Sequence, residues 1–252
     1  MKKLAIVTGA TSGIGEETAI MLAKNGYNLI ITGRRNDRLI SLKSLLVEKY
    51  HCEVMILNFD IRDNDHTLSA ISSIPDEWKK IDVLVNNAGL ASGLSPIHEG
   101  KWDQWEQMID TNVKGLLFFS RQIIPWMVEK KNGHIVNISS IAAHEVYENG
   151  SVYCATKHAV DAITKGMRID LLKHNIKVTA VSPGMVDTEF SVVRFDGDNE
   201  KAQKVYEGLV PLSAKDIADA IEYAITRPSH VNINEMIIMP TQQASAIYNV
   251  RK

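Results

Sequence analysis

Short apolar runs alternate with longer amphipathic segments along the whole chain. The apolar runs have the length of β-strands, and several are rich in Val and Ile. They are continuously apolar rather than alternating with polar residues, which indicates strands buried on both faces of a parallel sheet. The seven runs are Leu4–Val7, Asn28–Ile31, Val54–Leu57, Val83–Val85, His134–Ile138, Val178–Val181 and Met236–Met239.

The segments between these runs have helical periodicity. Asn25-Gly26 is a typical end for the first helix, and Ser213 to Asp216 resembles a capping box that begins the last. The predicted helices are Glu16–Lys24, Asp37–Lys49, Asn64–Ser73, Trp102–Lys131, Val152–Lys173 and Lys215–Thr226. Regular alternation of strand and helix predicts a single α/β domain over residues 1–252, doubly wound in the Rossmann manner with helices on both faces. Residues 184–211 show no clear period, so we expect a substrate loop or lid there.

Composition and charge exclude several classes of protein. A chain of 252 residues with 45% hydrophobic content needs no disulfide or metal to build a core. The net charge of -2, without long runs of one sign, argues against nucleic-acid binding. Two cysteines, Cys52 and Cys154, form neither a disulfide framework nor a zinc site with paired ligands. With no apolar stretch of membrane-spanning length, we predict a cytoplasmic protein that acts on a small molecule, without metal, nucleic-acid or membrane partners.

A glycine-rich turn follows the first apolar run and precedes the first helix. Its spacing is Gly-x-x-x-Gly-x-Gly, from Gly9 to Gly15. Glycine lets the backbone approach a pyrophosphate, which the positive end of the following helix attracts. Glycines alone are weak evidence because ordinary loops use them, but the position between strand and helix is more specific. The residues predicted to bind a dinucleotide here are Gly9, Thr11, Ser12, Gly13, Ile14 and Gly15.

Arg34 and Arg35 end the second predicted strand. An acidic residue at this place binds the 2′-hydroxyl of NAD, whereas a guanidinium group suits the 2′-phosphate of NADP. The pair therefore predicts NADP as the cofactor. The alternative is that one or both arginines merely begin the next helix.

Two further strand ends carry candidate cofactor residues. Asp60 and Ile61 follow the third strand, where they are expected to contact the adenine; alternatively, Asp60 caps the next helix. Asn87, Ala88 and Gly89 follow the fourth strand, at the carboxyl edge where such sheets bind ligands. Their small size favours close approach of the backbone to a cofactor, although an ordinary turn has the same composition.

Tyr153 and Lys157 are spaced four residues apart and share one helix face. A tyrosine pKa of about 10 makes a poor base, and a nearby ammonium group is expected to lower it. The pair then suits proton transfer in an alcohol–carbonyl couple. Ser140 is expected to hydrogen-bond the substrate oxygen, and Asn112 to disturb its helix and expose a carbonyl for a proton relay. Taken alone, the Tyr/Lys pair also fits a solvated helix face.

With these motifs, the sequence resembles the short-chain dehydrogenase/reductase family. The resemblance covers essentially the whole chain. The resemblance implies Tyr153 as acid/base, Lys157 as its pKa modulator and ribose ligand, Ser140 as stabiliser of the substrate oxygen and Asn112 as relay anchor. It also implies nicotinamide-dependent oxidoreduction, a sheet of order 3-2-1-4-5-6-7 and a homotetramer. The residues that it places around the nicotinamide are Pro183, Gly184, Val186 and Thr188.

Four other stretches resemble the NADP-dependent 3-hydroxy acid dehydrogenases: Pro75–Trp78, Asn86–Leu90, Thr188–Asp198 and His230–Asn234. That subgroup oxidises serine, allo-threonine or 3-hydroxyisobutyrate, or reduces malonic semialdehyde.

A substrate carboxylate needs a cation, and Arg194 is the candidate, with an exposed loop charge as the alternative. Other substrates remain open, including a 3-oxoacyl thioester, a sugar or a steroid, as does a non-catalytic NADP sensor. The tail Met239 to Gln243 lacks the glycine-rich end of many 3-oxoacyl reductases, which disfavours a fatty-acid substrate.

Overall fold

The computed structural model describes residues 2–252. Its strands are β1 (Leu4–Val7), β2 (Asn28–Gly33), β3 (Val54–Asn58), β4 (Val83–Asn86), β5 (Gly133–Ile138), β6 (Ile176–Pro183), β7 (Val186–Asp187), β8 (Leu212–Ser213) and β9 (Glu235–Ile238). Its helices are α1 (Gly13–Lys24), α2 (Asn36–Tyr50), α3 (Asn64–Ser72), α4 (Trp102–Ile109), α5 (Leu116–Lys130), α6 (Ser151–Leu171), α7 (Phe190–Arg194), α8 (Asn199–Lys204) and α9 (Ala214–Ile225). Every predicted strand and helix is present, but the predicted helix Trp102–Lys131 is divided by a π-helical turn at Asp110–Gly115.

Seven parallel strands form one sheet in the order β3-β2-β1-β4-β5-β6-β9. This confirms the predicted order and the Rossmann-type architecture. The last strand is the ninth along the chain because β7 and β8 pair only with each other. The strand order reverses beside β1, which pairs with β2 on one side and β4 on the other. Ligands bind at such a reversal, outside the carboxyl ends of the strands.

Both faces of the sheet are buried, as the continuously apolar runs predict. In β1, Ala5 and Val7 pack into one apolar cluster with residues of α1, α2 and α9. Leu4 and Ile6 pack on the opposite face with residues of α3, α5 and α6. Successive strand residues point to opposite faces, so each strand contributes to both layers.

Residues 184–211 contain β7, α7 and α8 and are therefore not one irregular loop. The two helices have five and six residues, too few to show a helical period in the sequence. The backbone N–H of Met185 donates to the buried side chain of Gln243 at 2.8 Å, which ties the segment to the C-terminal tail.

Between residues 2 and 252, no helix combines the length and the apolar character needed to cross a bilayer. Within the same range, no three or more His, Cys, Asp or Glu side chains are grouped in a way that could hold a metal ion.

Candidate active site

A cavity of about 300 Å³ lies at the carboxyl ends of the central strands. It collects nearly all the residues that the sequence proposes for the site. The cavity wall includes Gly9, Thr11, Ser12, Gly13, Ile14, Arg34, Arg35, Asp60, Ile61, Asn87, Ala88, Gly89, Ser140, Tyr153, Lys157, Pro183, Gly184, Val186 and Thr188. Three proposed residues, Gly15, Asn112 and Arg194, do not line this cavity.

The glycine-rich turn has two residues in the left-handed region, Gly9 at φ +67° and Gly13 at φ +55°. Side chains there would be strained. Gly15 has another reason to be glycine, because a Cβ atom would lie 2.3 Å from the carbonyl oxygen of Gly9. Gly15 thus permits α1 to pack against the turn, and it does not face the cavity.

The two arginines after β2 differ in their surroundings. Arg35 donates to the hydroxyl oxygens of Thr11 and Ser12, at 2.9 and 2.8 Å, and to the carboxylate of Glu189 at 2.7 Å. Arg34 lies 3.8 Å from the carboxylate of Asp60, and its side chain is 52% exposed. Arg35 occupies the N-cap position of α2, but its side chain makes no capping hydrogen bond. Both arginines line the cavity, and the side chain of Arg35 does not cap α2.

Asp60 and Asn87 have structural partners at the cavity rim. The carboxylate of Asp60 accepts from the Arg62 guanidinium at 2.6 Å, whereas α3 is capped by Asp63, so the capping alternative for Asp60 is wrong. The side-chain amide of Asn87 donates to the carbonyl oxygens of Thr8 and Gly9, at 2.9 and 3.0 Å. Asn87 thereby fastens the glycine-rich turn to the end of β4.

Tyr153 and Lys157 lie on α6 and are buried, with 8% and 6% exposure, so they do not form a solvated helix face. Lys157 Nζ donates to the carbonyl oxygen of Ile138 at 3.0 Å and lies 5.9 Å from the centroid of the Tyr153 ring. Burial lowers the pKa of Lys157 to about 8.

Burial also changes the pKa of Tyr153. It raises the pKa of Tyr153 above its usual value, and the nearby Arg194 and Ser140 only partly oppose this. We expected Lys157 to lower this pKa, but burial has the largest effect and raises it. The phenol therefore ionises even less readily than an ordinary tyrosine and can act as a proton donor at neutral pH.

Asn112 lies within the π-helical turn, which agrees with the predicted disturbance of the helix. Its side chain makes paired hydrogen bonds with the backbone N–H and C=O of Leu90, both at 2.8 Å, and donates to Thr156 Oγ1 at 3.0 Å. Thr156 precedes Lys157 on α6. Asn112 therefore joins the loop after β4 to the helix that carries the Tyr/Lys pair.

Arg194, the last residue of α7, is partly buried among aromatic rings. Its guanidinium carbon lies 5.0 Å from the ring centroid of Tyr153, 5.4 Å from that of Phe190 and 5.8 Å from that of Tyr147. One terminal nitrogen donates to Tyr147 Oη at 2.7 Å, while the buried Nε makes no hydrogen bond. Arg194 is thus not an exposed loop charge.

Several cavity residues escaped the sequence analysis. Glu189 and Phe190 directly follow Thr188, so their place in the chain was a usable signal. Two residues outside the cavity wall, Tyr147 and Arg38, gave no such signal, because only the fold brings them to Arg194 and Glu189. The other unpredicted lining residues are Thr32, Gly33, Phe59, Leu90, Thr111, Ile138, Ser139 and Val193.

Comparison with known proteins agrees with this geometry. The sequence profile described as short chain dehydrogenase matches residues 3–199. The chain is 45% identical over 250 residues to the NADP-dependent 3-hydroxy acid dehydrogenase YdfG of Salmonella typhi, covering 99% of each chain. It is 40% identical over 250 residues to serine 3-dehydrogenase of Agrobacterium fabrum, covering 99% of this chain and 98% of that one.

A solved structure shares both fold and sequence. The closed form of a serine dehydrogenase complexed with NADP+ superposes with a TM-score of 0.91 at 42% identity, covering 99% of both chains. Together with the profile match and the Tyr153/Lys157 site, these similarities show that the chain is an oxidoreductase of the short-chain dehydrogenase family.

Proposed function

We propose that the protein is an NADP-dependent dehydrogenase that interconverts a small 3-hydroxy acid and the corresponding 3-oxo acid. The observation that carries this proposal is Arg194, a cation packed against the ring of the acid/base candidate Tyr153. The names of the relatives, a 3-hydroxy acid dehydrogenase and a serine 3-dehydrogenase, point to the same substrate class.

Arg194 has the properties of a carboxylate-binding residue. No acidic side chain of residues 2–252 forms an ion pair with it, and its buried Nε is left without an acceptor. A buried donor without a partner costs about 1–3 kcal/mol, which a ligand carboxylate would offset. In a 3-hydroxy acid the carboxylate is two bonds from the reacting carbon. This short distance suits a cation that lies beside Tyr153.

The residues around Tyr153 have distinct proposed roles. When bound, NADP(H) supplies or accepts the hydride. Tyr153, protonated at neutral pH, gives its proton to the carbonyl oxygen during reduction and takes it back during oxidation. The Ser140 hydroxyl steadies that oxygen. The proposed role of Lys157 is to hold the nicotinamide ribose. Asn112 fixes the backbone of Leu90 at the cavity wall.

The residues present fit a dinucleotide with a 2′-phosphate. Gly9 and Gly13 hold a turn that keeps side chains out of the cavity, and no side chain caps the start of α1. After β2, Arg34 and Arg35 provide guanidinium groups for the 2′-phosphate. We therefore infer NADP rather than NAD as the cofactor, bound by the cavity residues named above.

The substrate assignment is tested with 3-hydroxypropionate and its neutral counterpart propane-1,3-diol. We expect Arg194→Met to raise KM for 3-hydroxypropionate at least about tenfold, because a carboxylate–guanidinium pair is lost, and to change kinetics with the diol less than about twofold. NADPH absorbance gives both rates.

Serine, allo-threonine, 3-hydroxyisobutyrate and a 3-oxoacyl thioester complete the substrate panel. Equal effects of Arg194→Met on acid and diol would contradict the role of Arg194. A clear preference for the thioester would contradict the substrate class.

We also propose a homotetramer located in the cytoplasm, where the buried thiols of Cys52 and Cys154 stay reduced. Of the apolar residues in the long helices, Leu116 and Phe119 belong to the core, but Leu117 is 44% exposed and Trp102 is 67% exposed. Such residues are available for a subunit interface. Light scattering measures the mass in solution.

A further inference from the structure

Glu189 joins the start of α7 to two arginines, Arg35 and Arg38. It stands between Thr188 and the first residue of α7, and it lines the cavity wall. Its carboxylate oxygens accept from Arg35 at 2.7 Å and from Arg38 at 2.6 Å. These partners lie 154 and 151 residues away in sequence. Arg35 is the residue that also contacts Thr11 and Ser12 of the glycine-rich turn.

The helix that begins after Glu189 carries two groups that touch Tyr153. The Phe190 ring meets the Tyr153 ring edge-on with centroids 5.7 Å apart, and Arg194 lies over the same ring. At its other end, α7 is held by a hydrogen bond from Gly93 N to the carbonyl oxygen of Arg194, at 2.9 Å. A helix of five residues has little stability of its own, so such anchors determine its placement.

We propose that Glu189 is a positioning residue, whose pairing with Arg35 and Arg38 fixes α7 so that Arg194 meets the carboxylate of a 3-hydroxy acid beside Tyr153. The inference rests on the proposed function, since its readout is the binding of such an acid. Arg35 then serves both the phosphate end of the cofactor site and the substrate end.

The anchor formed by Glu189, Arg35 and Arg38 is modest in strength. The three side chains are each about 40% exposed, and ion pairs of that kind contribute little individually. These ion pairs therefore bias the position of α7 without contributing much to the stability of the fold.

The test compares Glu189→Gln, which keeps the shape and removes the charge, with Arg38→Gln, whose side chain does not line the cavity. We expect each variant to raise KM for 3-hydroxypropionate about fivefold with kcat changed less than about twofold, since the anchor positions Arg194 and takes no part in proton transfer. The double variant should show no further increase, because both changes break the same interaction.

Glu200→Gln is the matched control. Glu200 pairs with Lys204 at 2.8 Å on the neighbouring α8, and its loss should leave KM unchanged. A fluorescence titration of NADP binding is run on every variant. Thermal melting of each variant tests whether it is folded.

Three results would overturn the inference. The first is an unchanged KM for 3-hydroxypropionate in both folded variants. The second is tighter NADP binding by Glu189→Gln with an unchanged KM, which would show that Glu189 competes with the cofactor phosphate. The third is a wild-type protein that does not oxidise 3-hydroxypropionate, which would remove the proposed function as well, whereas the first two leave it intact.

Discussion

At the level of single residues, the site is built on a buried cation. Lys157 has 6% exposure and its Nζ contacts the carbonyl oxygen of Ile138, while burial lowers its pKa to about 8. Desolvating an ammonium group without a carboxylate partner costs stability. The protein keeps this unfavourable residue next to Tyr153, as expected where function and stability conflict.

We predict that Lys157→Met makes the protein more stable and inactive. Below about pH 8, Lys157 is charged in the folded and the unfolded chain, so the full cost of burial is present. Replacing it with a similarly shaped apolar side chain should raise the free energy of unfolding by about 2 kcal/mol at pH 7. Urea unfolding measures the change.

The stability advantage of Lys157→Met over the wild type should depend on pH. Between about pH 8 and the ordinary lysine pKa of 10.5, the folded chain loses the proton first, so the unfolded chain binds more protons and wild-type stability rises with pH. The advantage of Lys157→Met should therefore shrink over that range. Lys165→Met, on the exposed face of the same helix, is the control and should show no such trend. A Lys157→Met variant less stable than wild type at pH 7 would contradict the account.

Among the elements, the π-helical turn between α4 and α5 is the one that the site depends on most. It places Asn112 so that one side chain satisfies both backbone groups of the buried Leu90 and also reaches Thr156 on α6. A regular helix would turn Asn112 to another direction. The turn therefore links the loop after β4 to α6, which carries Tyr153 and Lys157.

We predict that Asn112→Ala destabilises the protein by about 2–4 kcal/mol, because the Leu90 N–H and C=O groups lose their partners inside the protein. Urea unfolding midpoints at constant m value measure the loss. Lys114→Ala, on the exposed side of the same turn, removes only the 2.8 Å pair with Asp110 and should cost far less stability than Asn112→Ala. Similar costs for the two variants would show that Asn112 has no special role.

The whole molecule determines how the cofactor site is assembled, since its residues come from the ends of β1 to β6. A ligand that joins these ends stabilises the folded chain in proportion to its affinity. We predict that NADP raises the melting temperature more than NAD does at equal concentration. Arg34→Ser, which removes a 52% exposed guanidinium group, should reduce the NADP effect and leave that of NAD unchanged. Equal shifts by the two cofactors in the wild type would contradict the assignment of Arg34.

The sequence by itself determined the architecture and most of the cavity wall. Burial on both faces of a parallel strand leaves a continuous apolar run, and glycine-rich or polar residues then follow each run at the carboxyl edge. Both signals lie within a few consecutive residues. Gly9 to Gly15, Arg34, Ser140 and the Tyr153/Lys157 pair could therefore be found without a structure.

Only the tertiary structure decided how distant residues act on one another. The pairing of Glu189 with Arg35 and Arg38, the contact of Tyr147 with Arg194 and the bonds of Asn112 to Leu90 join segments that no local pattern relates. The raised pKa of Tyr153 belongs to the same group, since burial in the folded chain outweighs the effect of the Arg194 charge. Local periodicity records which residues are buried, but side-chain partners and desolvation depend on packing between elements, which the folded molecule alone fixes.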